Sequence, residues 1–556
     1  MEERIWHQHY DYSVQTEYRF PRVPLQSLLG ISVNAFPDKP ATDFYGSKIT
    51  FWELRELSNR FAHALSDLGV KQGERVGLHL PNIPQYLISY YGVLSLGAVV
   101  VNFNPLYTPD ELVPLVEQTG VNTFITFDMV IPNVKQLAER VKIDRIIATS
   151  VFDFMANAET STPESLQMES DWHHFSRLID EHTSTKQPKV EIQGDDPAMI
   201  QFTGGTTGIP KGALLTHANM VASSYSCFHW GSASIQYTPV ENRVVMCALP
   251  FFHVYANIVC LNWAMLNCAT MILVPRFEVD PFMDILAGIE HITFFPAVPT
   301  MINALVNHPK AEEINLARKI KLLNSGGGPM PVELIDKVTD LGIPYSEGWG
   351  MSETTSLGLA NPVMGLKKNG SIGIPFPGMD ARLMDIETGK TEVAQGQPGE
   401  LVVKGPLVMK AYWENPEKTA AELVDGWLYT GDIATMDEDG YFYIVDRKKD
   451  MIIAGGYNIY PRDIDEVLYQ HPKISDAVAI GIPDQYRGET VKAFIVLKPN
   501  ESATETEIID FCKQRLAVYK VPKMIEFRED LPKSAIGKIL RKVLRDEEIA
   551  RQTSQS

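Results

Sequence analysis

The sequence predicts an α/β protein with a large N-terminal domain, made of α/β subdomains and a β-rich subdomain, and a small α+β C-terminal domain. Strand-like and helix-like segments alternate through the first quarter of the chain. Valine and glycine are frequent in 399–409, a pattern that favours strands. From Asp450 onward, strand-like runs at 476–482 and 490–498 indicate a separate compact unit.

The first quarter shows the βαβ alternation most clearly. Its predicted strands and helices, in order, are 75–80, 84–97, 98–103, 108–118, 121–127 and 133–141. Thr108 and Glu111 form a capping box around Pro109, which predicts the start of a helix. The polar stretch 152–196 predicts a surface excursion before a core strand at 198–203. We therefore expect a mostly parallel sheet with helices on its faces.

Composition excludes several classes of protein. The 556 residues carry a formal net charge of −19, because 69 Asp and Glu outnumber 50 Lys and Arg, and this excess disfavours nucleic acid as a partner. The five cysteines form no CxxC pair, which predicts free thiols in a reducing compartment. The apolar segment 258–274 is interrupted by Asn262 and Asn267, so we expect a buried helix and strand and no membrane span.

The N-terminus lacks the apolar stretch of a signal peptide. A cytoplasmic protein is therefore expected. A peripheral contact with the inner face of the membrane and a homodimer both stay open at this stage.

A loop rich in glycine and hydroxyl groups follows the predicted strand at 198–203. Its sequence from Thr203 to Gly212, TGGTTGIPKG, suits a phosphate ligand, because glycines let backbone N–H groups approach oxyanions and Lys211 adds positive charge. The P-loop pattern requires Gly-Lys followed by Ser or Thr, whereas Pro210 precedes Lys211 here. The loop therefore predicts phosphate binding outside the P-loop class; a turn without a ligand is the alternative when the loop is taken alone.

Together with four other motifs, this loop resembles the signature of the adenylate-forming superfamily, which includes acyl-CoA synthetases, peptide-synthetase adenylation domains and luciferases. The other motifs are EGWGMSETT at 347–355, YTGD at 429–432, DRKKD at 446–450 and PKSAIGKI at 532–539. They occur in the family's order over nearly the whole chain. Gly204 stands where the family more often has serine, a feature that resembles bacterial long-chain fatty acid–CoA ligases.

The resemblance implies which residues bind the nucleotide. The implied ATP- and AMP-binding residues are Thr203, Gly204, Gly205, Thr206, Thr207, Gly208, Lys211, Gly326, Gly327, Gly328, Glu347, Gly348, Trp349, Gly350, Met351, Ser352, Asp432, Arg447 and Lys538. Within this set, Trp349 is expected to cover the adenine, and Asp432 and Arg447 to bind the ribose hydroxyls. Thr206 and Glu353 are the implied ligands of Mg²⁺, a hard cation that prefers oxygen.

The resemblance also implies catalytic roles and a division into two domains. The implied catalytic residues are Lys538, Lys211, His253 and Glu353. Residues 1–448 are expected to bind ATP and the acid, and residues 449–556 to form a mobile C-terminal domain with its hinge at Lys449. The coenzyme A path is expected along Gly455, Gly456 and Tyr457. The expected acyl pocket comprises Phe252, His253, Tyr255, Asn257, Ala297, Val298 and Pro299.

These inferences predict an acid–thiol ligase for medium- or long-chain fatty acids. It is expected to form acyl-AMP and pyrophosphate, then acyl-CoA and AMP, with Mg²⁺ as cofactor and fatty acid, ATP and coenzyme A as partners. The alternatives are a CoA ligase for an aromatic or alicyclic acid, a fatty acyl-AMP ligase and an oxygenase of the luciferase kind. A catalytically silent lipid- or nucleotide-binding protein is the alternative from a different class. Asn257 stands where some long-chain enzymes carry a tryptophan gate, which leaves the chain length open.

Overall fold

The computed structural model of the protein describes residues 4–156, 159–203, 210–454, 457–484, 487–534 and 537–555. A large N-terminal domain of mixed α/β structure precedes a small C-terminal domain with its own sheet. The predicted fold class, with a large N-terminal and a smaller C-terminal domain, is confirmed.

The strands are taken in chain order. They are β1 (Pro40–Phe44), β2 (Ser47–Thr50), β3 (Arg75–Leu78), β4 (Val99–Asn102), β5 (Thr123–Phe127), β6 (Arg145–Thr149), β7 (His173–His174), β8 (Pro197–Phe202), β9 (Gly212–Thr216), β10 (Val244–Cys247), β11 (Thr270–Leu273), β12 (Phe295–Ala297), β13 (Leu323–Ser325) and β14 (Tyr345–Met351). They continue with β15 (Ser356–Ala360), β16 (Ile374–Pro375), β17 (Asp380–Met384), β18 (Gly399–Lys404), β19 (Ala411–Tyr412), β20 (Leu423–Val424), β21 (Trp427–Met436), β22 (Phe442–Arg447), β23 (Ile452–Ala454), β24 (Tyr457–Ile459), β25 (Ile474–Asp484), β26 (Gly488–Leu497) and β27 (Met524–Phe527).

The α-helices are taken in the same order. They are α1 (Ser27–Ala35), α2 (Phe51–Asp67), α3 (Pro84–Ser95), α4 (Pro109–Thr119), α5 (Ile131–Ala138), α6 (Phe175–Glu181), α7 (His217–Ile235), α8 (Val254–Ala256), α9 (Trp263–Asn267), α10 (Val279–Gly288), α11 (Pro299–Val306), α12 (Ala311–Ile314), α13 (Leu316–Lys319), α14 (Val332–Asp340), α15 (Pro416–Glu422), α16 (Pro461–Tyr469), α17 (Glu505–Lys513) and α18 (Arg541–Gln555).

An eight-stranded sheet with the order β19-β9-β8-β4-β3-β5-β6-β7 holds the glycine-rich loop. Its strands from β8 to β7 run parallel, as the alternation predicts, and β9 returns antiparallel to β8. Parallel strands bring their carboxyl ends to one edge, where open α/β sheets bind ligands. The loop leaves β8 at that edge, and the Thr203 N–H donates to the Lys211 carbonyl at 2.8 Å.

A second sheet, of order β12-β13-β14-β15-β16, carries the 347–355 motif. Strand β14 is parallel to β13 and antiparallel to β15, so the chain reverses just after Glu347 to Met351. Gly350 is required at this reversal, because a Cβ there would overlap the Ser356 carbonyl of the facing strand. The motif is thus held by a backbone contact that excludes every residue with a side chain.

The β-rich subdomain pairs β17, β18, β20, β21 and β22 antiparallel. It leads directly into the C-terminal domain, whose sheet has the order β24-β23-β26-β25 with β27 parallel to β26. Helix α16 packs on β25, and Ile464, Leu468 and Ile495 belong to a hydrophobic core separate from that of the N-terminal domain. The C-terminal domain therefore has its own apolar core.

Two local expectations were tested by the structure. The capping box is confirmed: the Thr108 side chain accepts from the Glu111 N–H, and the Glu111 carboxylate accepts from the Thr108 N–H at 2.8 Å. The expectation of a surface excursion over 152–196 is wrong in part, because β7 extends the large sheet and Phe175 of α6 is fully buried against Phe61. A few apolar side chains fix this segment to the core despite its polar composition.

The apolar segment 258–274 lies inside the N-terminal domain as a π-helical turn, helix α9 and strand β11. Among the helices of the described residues, none combines the length and the apolar character needed to span a bilayer. All five cysteines are free and buried, as their spacing predicts.

Candidate active site

A cavity of about 1800 Å³ opens between the two domains. Most of the predicted site residues that the structure describes line it: Thr203, Lys211, Phe252, His253, Gly327, Gly328, Glu347, Gly348, Trp349, Gly350, Met351, Ser352, Glu353, Asp432, Arg447, Lys449 and Lys538. Segments far apart in the sequence, from both domains, therefore meet around one space. Gly204, Gly205, Thr206, Thr207, Gly208, Gly455 and Gly456 lie outside the described residues, and Tyr457 is described only as the first residue of β24.

At the end of the glycine-rich loop, Lys211 is held by an acidic partner. Its Nζ lies 3.1 Å from Glu422 Oε1 and 4.8 Å from the centre of the Tyr412 ring. Strand β19 brings Tyr412 there because it pairs antiparallel with β9, directly after Lys211. The ammonium is thus fixed over an aromatic face and against a carboxylate on the cavity wall.

Glu353 shares this cluster. The Tyr412 hydroxyl lies 2.7 Å from Glu353 Oε1 and also within hydrogen-bond distance of Glu422; having one proton, it donates to one carboxylate at a time. Burial raises the pKa of Glu353. The pKa of Glu422 lies below its ordinary value, since burial raises it but hydrogen bonds from two lysines and Tyr412 lower it by more.

Tyr412 and Glu422 were missed by sequence reasoning. Glu422 is the last residue of a short helix, and no local pattern marks it as different from other helical glutamates. Tyr412 is brought close to Lys211 by strand pairing between residues about 200 positions apart, which the sequence pattern does not indicate.

Asp432 lies at the end of the cavity where the sequence predicts the ribose of the nucleotide. Strands β21 and β22 pair it directly with Arg447, whose Nε lies 3.0 Å from one carboxylate oxygen. The indole N–H of Trp349 donates to the other oxygen at 2.8 Å. The Trp349 ring is buried and packs close to Gly358, so in this structure the tryptophan fixes Asp432 as well as bordering the cavity.

Gly327 and Gly328 form another part of the cavity wall, with Gly326 directly before them. A Cβ on Gly326 would lie 2.8 Å from the Tyr255 ring, and Gly327 has a left-handed φ of 79°. Beside them, Glu347 is buried and accepts weak hydrogen bonds from the Met330 N–H at 3.4 Å and the Tyr345 hydroxyl at 3.3 Å. Burial raises the pKa of Glu347 to about 7.

Lys538 enters the cavity from the C-terminal domain on a tight turn. The Ser534 N–H donates to the Lys538 carbonyl at 2.8 Å, and the Lys538 N–H donates to Ser534 Oγ at 3.1 Å. Gly537, with φ of 74°, lies against Thr300 at the start of α11 in the N-terminal domain, so close that a Cβ would overlap the threonine hydroxyl. The Arg447 guanidinium and burial lower the pKa of Lys538 to about 7.

His253 faces Lys538 from the N-terminal domain. Burial and the Lys538 charge lower the pKa of His253 to about 4, so the imidazole is neutral at pH 7. The turn before it is held by Asn82, whose side chain donates to the carbonyls of Cys247 and Leu249 and accepts from the Phe251 N–H, all at 2.7–2.8 Å. A buried amide thus fixes the turn that presents the histidine.

Among the described residues, the wall of the large cavity does not include Gly326 or the predicted acyl-pocket residues other than Phe252 and His253. The remaining ones are Tyr255, Asn257, Ala297, Val298 and Pro299. The Tyr255 hydroxyl donates to Asn324 at 2.6 Å, and Asn324 borders a second, mostly apolar cavity of about 40 Å³. Asn257 is fully buried and accepts from the Tyr90 hydroxyl at 3.0 Å, within a polar cluster of the core.

The predicted hinge has contacts on both sides. Lys449 is exposed, whereas Asp446 accepts from the Arg462 N–H at 2.8 Å and Asp450 pairs with Arg545 at 3.5 Å, both partners being in the C-terminal domain. On the other side, Lys448 pairs with Glu400 at 2.8 Å. Charged neighbours therefore tie the segment to both domains, while Lys449 itself is exposed on the cavity wall.

The residues at the phosphate end fit a magnesium ion that arrives with a nucleotide. Within the described ranges, no group of three His, Cys, Asp or Glu side chains is placed to hold a metal. Mg²⁺ usually binds through one or two carboxylates with phosphate oxygens and water. The buried Glu353 carboxylate on the cavity wall is a donor of that kind.

The comparisons with known proteins agree with this geometry. The family model described as AMP-binding enzyme matches residues 31–413, and that of the AMP-binding enzyme C-terminal domain matches 463–538. The chain is similar to a long-chain-fatty-acid–CoA ligase of Bacillus subtilis, at 43% identity over 98% of both chains, and to one of Escherichia coli, at 36% over 98% of both. Its fold is similar to ATP-bound MatB from Rhodopseudomonas palustris, with a TM-score of 0.84 and 29% identity over 95% of this chain and 99% of that one.

The first family model alone covers more than half of the chain, and the second matches a separate, later segment. The protein belongs to the AMP-binding enzyme family.

Proposed function

We propose that the protein is an ATP-dependent ligase that joins a medium- or long-chain fatty acid to coenzyme A. The observation that carries the proposal is the position of Lys538 beside His253, Asp432 and Arg447 in one cavity, although it comes from the other domain. The similarity to named long-chain-fatty-acid–CoA ligases over nearly the full length supports the fatty acid as substrate.

In the first half-reaction, a carboxylate oxygen of the acid attacks the α-phosphorus of ATP, and the bond to pyrophosphate breaks. The transition state gathers negative charge, so it needs positive charge more than a base. We assign Lys538 to the carboxylate and α-phosphate and Lys211 to the β- and γ-phosphates. Mg²⁺, held by Glu353 and, by resemblance, Thr206, would neutralise phosphate charge.

In the second half-reaction, the coenzyme A thiol attacks the acyl carbonyl and AMP leaves. We propose the division into 1–448 and 449–556, with Lys449 as the hinge about which the C-terminal domain rotates between the two steps. The exposed position of Lys449 between two sets of ion pairs supports this. Gly455, Gly456 and Tyr457 are then the proposed coenzyme A path, and ATP and coenzyme A make the cytoplasm the proposed compartment.

The acyl tail has a proposed direction. His253 is neutral and half-buried on the wall of the large cavity, and the Tyr255 hydroxyl donates to Asn324, which borders the small apolar cavity. The proposed direction of the tail is the line from His253 to Asn324. A tail that follows this line passes Ala297, Val298 and Pro299 in the N-terminal domain, away from the nucleotide.

The test is a panel of acetate, octanoate, palmitate and benzoate with Mg·ATP, with and without coenzyme A. Pyrophosphate release and acyl-CoA, identified by mass, are the readouts. Octanoyl-CoA or palmitoyl-CoA formed in preference to the others supports the proposal. Benzoyl-CoA alone would favour the aromatic alternative, and pyrophosphate without any thioester would favour an acyl-AMP ligase. ATP binding without turnover of any acid would favour the silent binding protein.

A further inference from the structure

The ion pair between Lys211 and Glu422 stands out because its ammonium is the group that we assign to the β- and γ-phosphates of ATP. Glu422 Oε1 accepts from Lys211 at 3.1 Å and from Lys418, one turn earlier on α15, at 2.8 Å. Both Lys211 and Glu422 are about three quarters buried, and both line the cavity. The pair is therefore part of the cavity wall.

A triphosphate that reaches Lys211 also meets Glu422 beside it. The phosphate oxygens compete with the carboxylate for the charge of the ammonium, and the carboxylate faces a polyanion. Both effects oppose nucleotide binding, because a like charge near the ligand is unfavourable in a partly buried site. Lys418 stays with Glu422 and offsets only part of its charge.

We propose that Glu422 is a positioning residue that holds Lys211 on the cavity wall, competes with the phosphates for it and thereby sets the affinity for ATP. ATP binding exchanges the Lys211–Glu422 pair for a Lys211–phosphate pair. The inference rests on the proposed function only in that Lys211 meets the phosphates of ATP. The inference therefore predicts that replacing Glu422 strengthens the binding of ATP.

The experiment compares Glu422→Gln with Glu417→Gln in the full chain. Glu417 is exposed on the same helix, so the control removes the same charge away from the cavity wall. ATP affinity is measured by calorimetry without acid or coenzyme A, once with Mg²⁺ and once with EDTA. We expect Glu422→Gln to bind ATP about fivefold more tightly, the ratio typical of a lost ion pair of this exposure, and Glu417→Gln to match the wild type.

Turnover separates this role from a structural one. Glu422→Gln should lower KM for ATP while leaving KM for the fatty acid unchanged, whereas a folding defect would impair both. Equal or weaker ATP binding by Glu422→Gln in both metal conditions would overturn the inference. Glu422→Asp, which keeps the charge but shortens the reach to Lys211, is the second variant and should also bind ATP more tightly.

A double-mutant cycle tests whether the effect passes through Lys211. In a Lys211→Met background, Glu422→Gln should change ATP affinity by much less than fivefold. An equal gain in both backgrounds would show simple charge removal and would overturn the positioning role. A wild-type protein that does not bind ATP at all would instead contradict the proposed function.

Discussion

The two ends of the cavity are built in different ways. At the phosphate end, Lys211, Glu353, Tyr412 and Glu422 all belong to the N-terminal domain and are joined by hydrogen bonds or ion pairs. At the carboxylate end, His253 and Lys538 come from different domains. The first end is made by the N-terminal domain alone, whereas the second needs a residue from each domain. We therefore expect mutations to separate nucleotide binding from activation of the acid.

The largest effect is expected from Lys538→Ala. Removing the charge that we propose faces the reacting carboxylate should slow acyl-AMP formation about 10³-fold, the scale of one electrostatic stabiliser. ATP binding by calorimetry should fall by a much smaller factor, because Lys211 and Glu353 stay in place and only one contact to the α-phosphate is lost. Thioester formation from supplied acyl-AMP should also persist. Equal loss of both half-reactions would contradict the assignment of Lys538 to the adenylation step.

A pH profile should sharpen the same comparison. Lys538 is charged below its pKa of about 7 and is surrounded by Arg447, Arg541, Asp432, Asp450 and His253. Adenylation kcat/KM, which reports the free enzyme, should fall about tenfold per pH unit above pH 7. The kcat profile should break at a higher pH, because bound anions favour the ammonium. Pyrophosphate exchange from pH 6 to 9 measures both; a flat kcat/KM up to pH 9 would refute the role.

The smallest of these effects is expected from Gly537→Ala. A side chain at this left-handed residue costs about 1–2 kcal/mol and presses on Thr300, so adenylation should slow about tenfold while the thioester step is spared. Thr300→Ala removes the overlapping hydroxyl and should restore part of the rate. Gly396→Ala is the matched control, since Gly396 has a similar φ of 80° with no neighbour within 4 Å. If Thr300→Ala does not restore the rate, the defect lies in the backbone conformation at Gly537 and not in its contact with Thr300.

Local chemistry made much of the fold predictable. The Thr108–Glu111 capping box and the alternation of strands and helices depend on neighbours in the sequence, and both appear in the structure. The stretch 152–196 was misread because its polar composition hides the few apolar residues, Phe175 among them, that attach it to the core. Composition averages over a segment, whereas packing depends on single side chains.

Residues of the candidate site that belong to a sequence motif could be predicted. The contacts that their side chains make could be predicted less well. Asp432 and Arg447 follow from their motifs, and strand pairing brings them together. The sequence does not indicate that the Trp349 indole donates to Asp432. Nor does it indicate Glu422, since the link to Lys211 joins residues far apart in the chain and depends on the whole sheet.

Because the C-terminal domain has its own apolar core, we expect that it can be replaced by the corresponding domain of another protein. Every residue that we propose to contact the acyl tail lies in the N-terminal domain, and the C-terminal domain contributes a lysine on a turn. We expect a C-terminal domain transplanted from another family member to leave the choice of acid unchanged and to alter only the rate. The N-terminal domain would then determine which acid is chosen, and the C-terminal domain would determine the rate.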